Sequence, residues 1–151
     1  MEVTALLVKQ LRDATGVSVM ECKKALEASA GDIDHAIKIL KERSLSMVAK
    51  KSDRDLGAGT VSAYVHNTLQ VGALILLSCE TDFVSKNEEF VALARDIAMH
   101  ISAMKPDSID LLMAQPFIKD SQKTIQDLLS AATQRFGERI EVGHMSCFSV
   151  N

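Results

Sequence analysis

Apolar positions recur at helical spacing through the first third of the chain and then give way to alternation. Leu7, Leu11 and Ala14 share one face of a helix that Thr4 can cap and Gly16 can end. Ser18 can cap a second helix, which carries Cys22, Ala25 and Leu26 inward and stops at Gly31. Asp32 can cap a third, with Ile33, Ala36, Ile37 and Leu40 as its stripe. Periodicity is then lost in "SMVAKKSDRDLGAG", a polar, mixed-charge stretch closed by two glycines, which reads as a linker over 46–57. Beyond it the period becomes two. "TVSAYVH" alternates, "NTLQ" reads as a turn, and "VGALILLSC" runs apolar on both faces, which predicts an antiparallel hairpin whose second strand is central. Helical spacing returns with Phe90, Leu93, Ala94, Ile97, Ala98 and Ile101, over 88–103 and ahead of Pro106. "DSIDLLMA" has room for one or two helical turns, and Pro116 opens an extended "PFIKD". Ser121 can cap a helix carrying Ile125, Leu128, Leu129, Ala132 and Phe136, up to Gly137. "RIEVGHMSCFSV" alternates again as a third strand, with Gly143 a candidate bulge.

These elements predict an α+β chain in two parts. A three-helix domain occupies 1–45, a linker 46–57, and a small core 58–151, in which helices cover one face of a three-stranded antiparallel sheet. Covering one face leaves the other bare. With Val61, Val65, Ile75 and Leu77 set toward the helices, Tyr64, His66, Leu74 and Leu76 face away. In the last strand, either Met145 and Cys147 or Phe148 and Val150 face out. Cover for that bare face is expected from a second copy of the chain, sheet against sheet, in a homodimer.

Composition narrows the function. The chain has 151 residues, 47% hydrophobic and 25% charged, the balance of a folded globular protein. A net charge of -3 argues against a general nucleic-acid binder. No apolar run approaches the ~20 residues of a membrane span. The opening "MEVTALLVKQLRDATG" does not read as a secretory signal. Cys22, Cys79 and Cys147 are too widely spaced for a disulfide framework or a zinc site and fit a reducing, cytoplasmic compartment, with an organellar matrix as the other option. His35, His66, His100 and His144 are scattered, without metal-ligand spacing, and read as surface or structural residues. Cys79 reads as a buried small hydrophobe, since no base is suggested beside it. Neither GxxxxGK[ST] nor GxGxxG occurs, so no nucleotide of its own, no cofactor, no metal and no catalysis are expected. The lysine pairs at 23–24 and 50–51 are solvated faces or steering charge for an acidic partner. Val19 and Met20 are hydrophobic staples or a docking patch.

The stretch "CETDFVSKNEEF" stands out. It turns the chain from a strongly apolar strand into an amphipathic helix and places Glu80, Asp82 and Phe83 at the corner. Phe83 could fold back onto the helix, and Asp82 could help cap it. Yet Ser85 and Glu88 already have capping-box spacing, and Asn87 offers a second start signal. Caps are oversupplied, so Asp82 has no evident structural duty. An aromatic beside an acid on a rigid corner is also a good docking tip.

The chain resembles the elongation factor Ts family, the guanine-nucleotide exchange factors of elongation factor Tu. "LRDATGVSVMECKKAL" is similar to the family's first signature, "GDIDHAIKIL" to its continuation and "VAKK" to its linker. "CETDFVSKNEEF" is similar to the second signature, and "QPFIKD" and "FGERIEV" to C-terminal elements. The stretch between "ISAMKP" and "QPFIKD" is shorter than is usual in the family. The family's common Met-Met is Val19-Met20 here, and "GHMSCFSV" replaces its usual basic, aromatic ending. The resemblance implies a ubiquitin-associated-like three-helix domain ahead of a dimerisation-type core. It implies that Thr81, Asp82, Phe83 and Val84 disturb the magnesium and phosphate end of the partner's nucleotide site, Phe83 as an apolar wedge and Asp82 as negative charge. It assigns G-domain docking to Lys9, Arg12, Val19 and Met20, and homodimer pairing to short members. Apart from the resemblance, the other readings are a ubiquitin-associated-like adaptor that binds an unrelated protein through Val17, Val19 and Met20, and an enzyme that uses Cys79 or Cys147.

Overall fold

A computed structural model of the chain describes residues 2–151. It divides into two compact units, one formed by the chain through Asp53 with Ser130–Glu138, the other by Arg54–Leu129 with Arg139–Asn151. In the first unit, α1 (Ala5–Thr15), α2 (Val19–Ala28) and α3 (Ile33–Lys50) are capped as their sequences predict. The side chains of Thr4, Ser18 and Asp32 accept from the N–H groups of Leu7, Glu21 and His35. Gly16 closes α1 in the left-handed region at φ 71° and donates its N–H to the Arg12 carbonyl at 2.7 Å. The three helices enclose Val8, Leu11, Val17, Cys22, Ala25, Leu26, Ala36 and Leu40.

Two sequence expectations need correction in this unit. Residues 46–50 are not linker, because α3 runs through Lys50 and Lys51 is its C-cap. Ser44 is buried and donates to Gln134 Oε1, and Met47 and Val48 are half-buried. A helix face can therefore be held without an unbroken aliphatic stripe. The C-terminal half of α7 (Ile125–Phe136) also belongs to this unit.

The second unit holds the predicted three-stranded antiparallel sheet. Its order is β1 (Ala58–Val65), β2 (Val71–Cys79), β5 (Glu141–Ser149), so β2 is central. Between β2 and β5 come α4 (Asp82–Ser85), α5 (Glu88–Met104), α6 (Ile109–Ala114), a small hairpin of β3 (Pro116–Phe117) and β4 (Asp120–Thr124), and the start of α7. α5 lies across β1 and β2. It buries Phe90, Ala94, Ile97, Ala98 and Ile101, and the facing Ala73, Ile75, Leu77 and Cys79 of β2 are buried as well. The helix α7 is capped from Thr124, not Ser121. Thr124 Oγ1 accepts from the Asp127 N–H at 3.1 Å, and the Asp127 carboxylate accepts from the Thr124 N–H at 3.0 Å, which makes a reciprocal capping box.

Sheet parity also differs from expectation. Cross-strand partners share a face, and the register pairs Val61 with Leu76, Ala63 with Leu74 and Tyr64 with Ala73. Val61 and Val65 therefore lie on the face away from α5, 65% and 63% exposed, and Tyr64 lies on the α5 side. Leu74 and Leu76 face away as expected. In β5, pairing with Gly72, Leu74 and Leu76 puts Phe148, Ser146 and His144 outward, while Met145 and Cys147 share the inner face with Ile75 and Ala73. Gly143 is the bulged residue: Leu76 pairs with His144 and Leu77 with Val142. A Cβ there would come within 2.8 Å of Ser78 Oγ.

The end of α2 carries local strain. Gly31 N–H bonds to the Leu26 carbonyl at 2.8 Å and Ala30 N–H to the Glu27 carbonyl at 3.3 Å, the Schellman arrangement, but the left-handed residue at φ 54° is Ala30. Ala30→Gly should raise stability by about 0.5–1 kcal/mol, read as a higher denaturant midpoint at unchanged slope. An unchanged or lower midpoint would show that Ala30 bears no strain.

Candidate partner-docking site

The corner after β2 is built by small polar residues that tie backbone to backbone. Cys79 Sγ donates to the Thr81 carbonyl at 3.3 Å. Thr81 Oγ1 caps α4 by accepting the Val84 N–H at 3.4 Å. Ser85 Oγ donates to the Asp82 carbonyl at 3.1 Å, and the Ser85 carbonyl accepts from Thr60 Oγ1 on β1 at 2.6 Å. Asn87 Oδ1 accepts from the Glu89 N–H at 2.9 Å and starts α5. Asn87 rather than Ser85 is therefore that helix's cap, and Ser85 is buried below it.

This single turn sorts its side chains by direction. Val84 points into the core at 6% exposure, while Phe83 stands out at 90%. Phe83 does not fold back onto α5. Thr81 and Asp82 are exposed beside it. The Asp82 carboxylate has no hydrogen-bond or ion-pair partner among the described residues. Of the residues grouped at this turn, Thr81, Asp82 and Phe83 form its outer surface, and Val84 anchors it from beneath.

The corner's root is held by charges that sequence reasoning did not single out as a group. Glu80 Oε2 accepts the Arg139 N–H at 2.6 Å, and Glu80 Oε1 meets Arg54 Nη1 at 3.5 Å. Arg139 Nη1 donates to the Arg54 carbonyl at 2.5 Å, and its Nε and Nη2 bind Glu141 Oε1 at 3.0 and 2.8 Å. Arg54 fell within the linker reading and Arg139 is remote in the chain. The available signal was an acid placed directly at a strand end, where its side chain can reach neighbouring strand termini.

In the first unit, Lys9 and Arg12 on α1 and Val19 on α2 line one shallow groove of about 400 Å³, with Val3, Val8 and Lys23. Lys9, Arg12, Val19 and Met20 are all exposed, Met20 beside the groove rather than in its lining. Their exposure excludes the staple reading of Val19 and Met20. Val17 is buried in the three-helix core and offers no docking surface.

The other chemistry-bearing residues are placed as follows. Cys22 and Cys79 are buried and Cys147 half-buried, and burial pushes the Cys22 thiol up. His100 is fully buried. Its Nδ1 accepts the Ile118 N–H at 3.2 Å, which leaves Nε2 as the donor to Gln115 Oε1 at 2.9 Å. Among the described residues, no group of three or more His, Cys, Asp or Glu side chains is placed to hold a metal ion, and no helix is long and apolar enough to cross a membrane.

The contrast within the turn is measurable. Phe83→Ala should change unfolding stability by less than about 0.5 kcal/mol, and Val84→Ala should lower it by about 2 kcal/mol. Equal losses in thermal or denaturant unfolding would mean that Phe83 is packed.

Comparison with known proteins gives one consistent result. The family model described as Elongation factor TS matches residues 3–110 and 80–151. The chain is 38% identical to elongation factor Ts of Leptospira biflexa serovar Patoc over 195 aligned positions, covering 99% of this chain and 98% of the relative. It is 35% identical to elongation factor Ts of Thermosipho melanesiensis, covering 98% of each. It is 36% identical to that of Desulforamulus reducens, covering 93% of this chain and 86% of the relative. An alignment of 195 positions exceeds the 151 residues of the chain, so the match contains internal gaps on this side. The chain belongs to the elongation factor Ts family, a family of translation elongation factors.

Proposed function

We propose that this protein binds elongation factor Tu and promotes GDP release and GTP entry by inserting the Thr81–Val84 turn near the magnesium and phosphate end of the partner's nucleotide site. The observation that carries the reading is Phe83, held 90% exposed on a turn that is capped, pinned and anchored from below. A large apolar ring kept in water on a rigid corner gains only by entering a partner. Asp82 beside it carries a charge with no partner of its own, suited to disturbing a magnesium site and its water network.

Magnitudes require a second contact. A ~1000-fold loss of GDP affinity corresponds to about 4 kcal/mol of coupling. Burial of one phenylalanine supplies about 1.5–3 kcal/mol. The groove with Lys9, Arg12 and Val19, next to exposed Met20, is the docking element, and its basic rim suits an acidic partner surface. The three-helix unit acts as a ubiquitin-associated-like recruiter, and the core performs the displacement in the cytoplasm.

The protein works as a homodimer through the outer sheet face. Val61, Val65, Leu74, Leu76 and Phe148 lie together there without cover from any helix of their own unit. A second copy set face to face would bury them.

Two outcomes are expected. At saturating concentration, Phe83→Ala should cut stimulated release of a fluorescent GDP analogue from elongation factor Tu by about 10-fold, or about 1.4 kcal/mol. Undiminished release would remove the wedge. Light scattering across a dilution series should give a dimer for the native chain and a monomer for Leu74→Asp. A native monomer at micromolar concentration, or a dimer that survives the substitution, would contradict sheet pairing.

A further inference from the structure

We infer that Glu80 is a positioning residue for the exchange turn, locking the root of Thr81–Val84 to the segments that precede β1 and β5. The inference rests on the exchange reading above and adds to it what holds the wedge in place.

A helix of four residues cannot hold its own shape, because nucleation fixes more dihedral angles than its few bonds repay. The geometry of α4 must therefore come from anchors at its two ends. The far end has three: buried Val84, the bond from Thr60 Oγ1 to the Ser85 carbonyl at 2.6 Å, and the Asn87 cap. At the near end, Thr81 caps the turn and the thiol of Cys79 bonds the Thr81 carbonyl. Beyond the pairing of Cys79 with Ala58 in the sheet, the Glu80 carboxylate ties that end to two further segments of the unit.

Its two oxygens are used differently. One accepts the Arg139 N–H at 2.6 Å, a short, charge-assisted bond to backbone. The other meets the Arg54 guanidinium at 3.5 Å. Arg139 in turn donates to the Arg54 carbonyl, so Glu80, Arg54 and Arg139 close a ring. The Glu80 side chain is only 17% exposed, against 48% for Arg54, so the backbone bond is the better shielded part of the ring. The ring joins three chain segments at the point where β2 releases the turn. A wedge that wanders must be ordered at the moment of binding, and that cost is subtracted from the coupling it delivers. Glu80 removes the cost in advance.

The test uses the full chain, native and as Glu80→Ala, Glu80→Gln, Phe83→Ala and the Phe83→Ala/Glu80→Ala double variant. Stimulated release of fluorescent GDP from elongation factor Tu is followed against concentration, and the free chain is examined by amide NMR and thermal unfolding. Glu80→Ala should lower the maximal release rate about 10-fold and move the half-saturating concentration less than about threefold, since the docking groove is untouched. Glu80→Gln, which keeps an oxygen for the Arg139 N–H, should recover most of the rate. On the Phe83→Ala background, Glu80→Ala should cost about threefold or less, well below its cost alone, because it acts mainly by positioning the Phe83 side chain. In the free chain, Glu80→Ala should shift the amide signals of Thr81–Val84.

An unchanged maximal rate, losses that multiply in full in the double variant, or unshifted turn amides would each overturn the role. Failure of the native chain to accelerate release would bring down the exchange reading and this role with it. The amide spectrum would still report separately whether Glu80 fixes the turn. If Glu80→Ala does not fold, Arg54→Met makes the same comparison from an exposed side chain, with an expected loss of about threefold.

Discussion

The inner face of β2 has to be kept from water, and α5 is what covers it. Ala73, Ile75, Leu77 and Cys79 alternate along the central strand, and Phe90, Ala94, Ile97 and Ile101 meet them from the helix. The chain must therefore leave the strand, reverse and begin α5 within a few residues. Those few residues are Glu80 to Asn87. Both ends of the corner stand on packed elements, which limits the path between them. The corner needs no apolar surface of its own beyond Val84, and Thr81, Asp82 and Phe83 are exposed.

Opposite demands are thus separated by one residue. Val84 contributes stability and Phe83 contributes none, since a ring that is 90% exposed has gained nothing from folding. The separation leaves an exposed aromatic on a small domain without loss of core. A similar division runs across the sheet. Its α5 side closes the core, and its outer side carries Val61, Val65 and Phe148 with no helix over them. Apolar surface of that kind on a stable fold marks an interaction face.

Much of this could be read from the sequence where a local rule was sufficient. Caps at Thr4, Ser18 and Asp32, the stop at Gly16 and the bulge at Gly143 each depend on neighbours a few residues away. The central position of β2 followed from its unbroken apolar run. The face assignment of β1 failed for a physical reason. Alternation gives the period of a strand and not its sign, and Val61, Ala63 and Val65 are as apolar as a core stripe while they in fact face outward. The pairing register with β2 decides the sign. The end of α3 was also hidden, because Ser44 is buried through a polar bond to Gln134, a partner far along the chain. The Glu80 ring is non-local in the same way. At the docking turn the residue types were legible, but the opposite directions of Phe83 and Val84 were not, since a short helix nested between two caps has no period to read.

On the proposed function, the exposed turn and the nucleotide of elongation factor Tu are energetically coupled. Coupling is reciprocal: what weakens the nucleotide's hold must equally weaken this chain's hold on the nucleotide-loaded partner. The direct measurement is the affinity of the chain for elongation factor Tu from the same organism, nucleotide-free and saturated with GDP, for the native protein and for Phe83→Ala. The native chain should bind the nucleotide-free form about 1000-fold more tightly, and Phe83→Ala should narrow that ratio by about 10-fold. Equal affinity of the native chain for both forms would contradict the account.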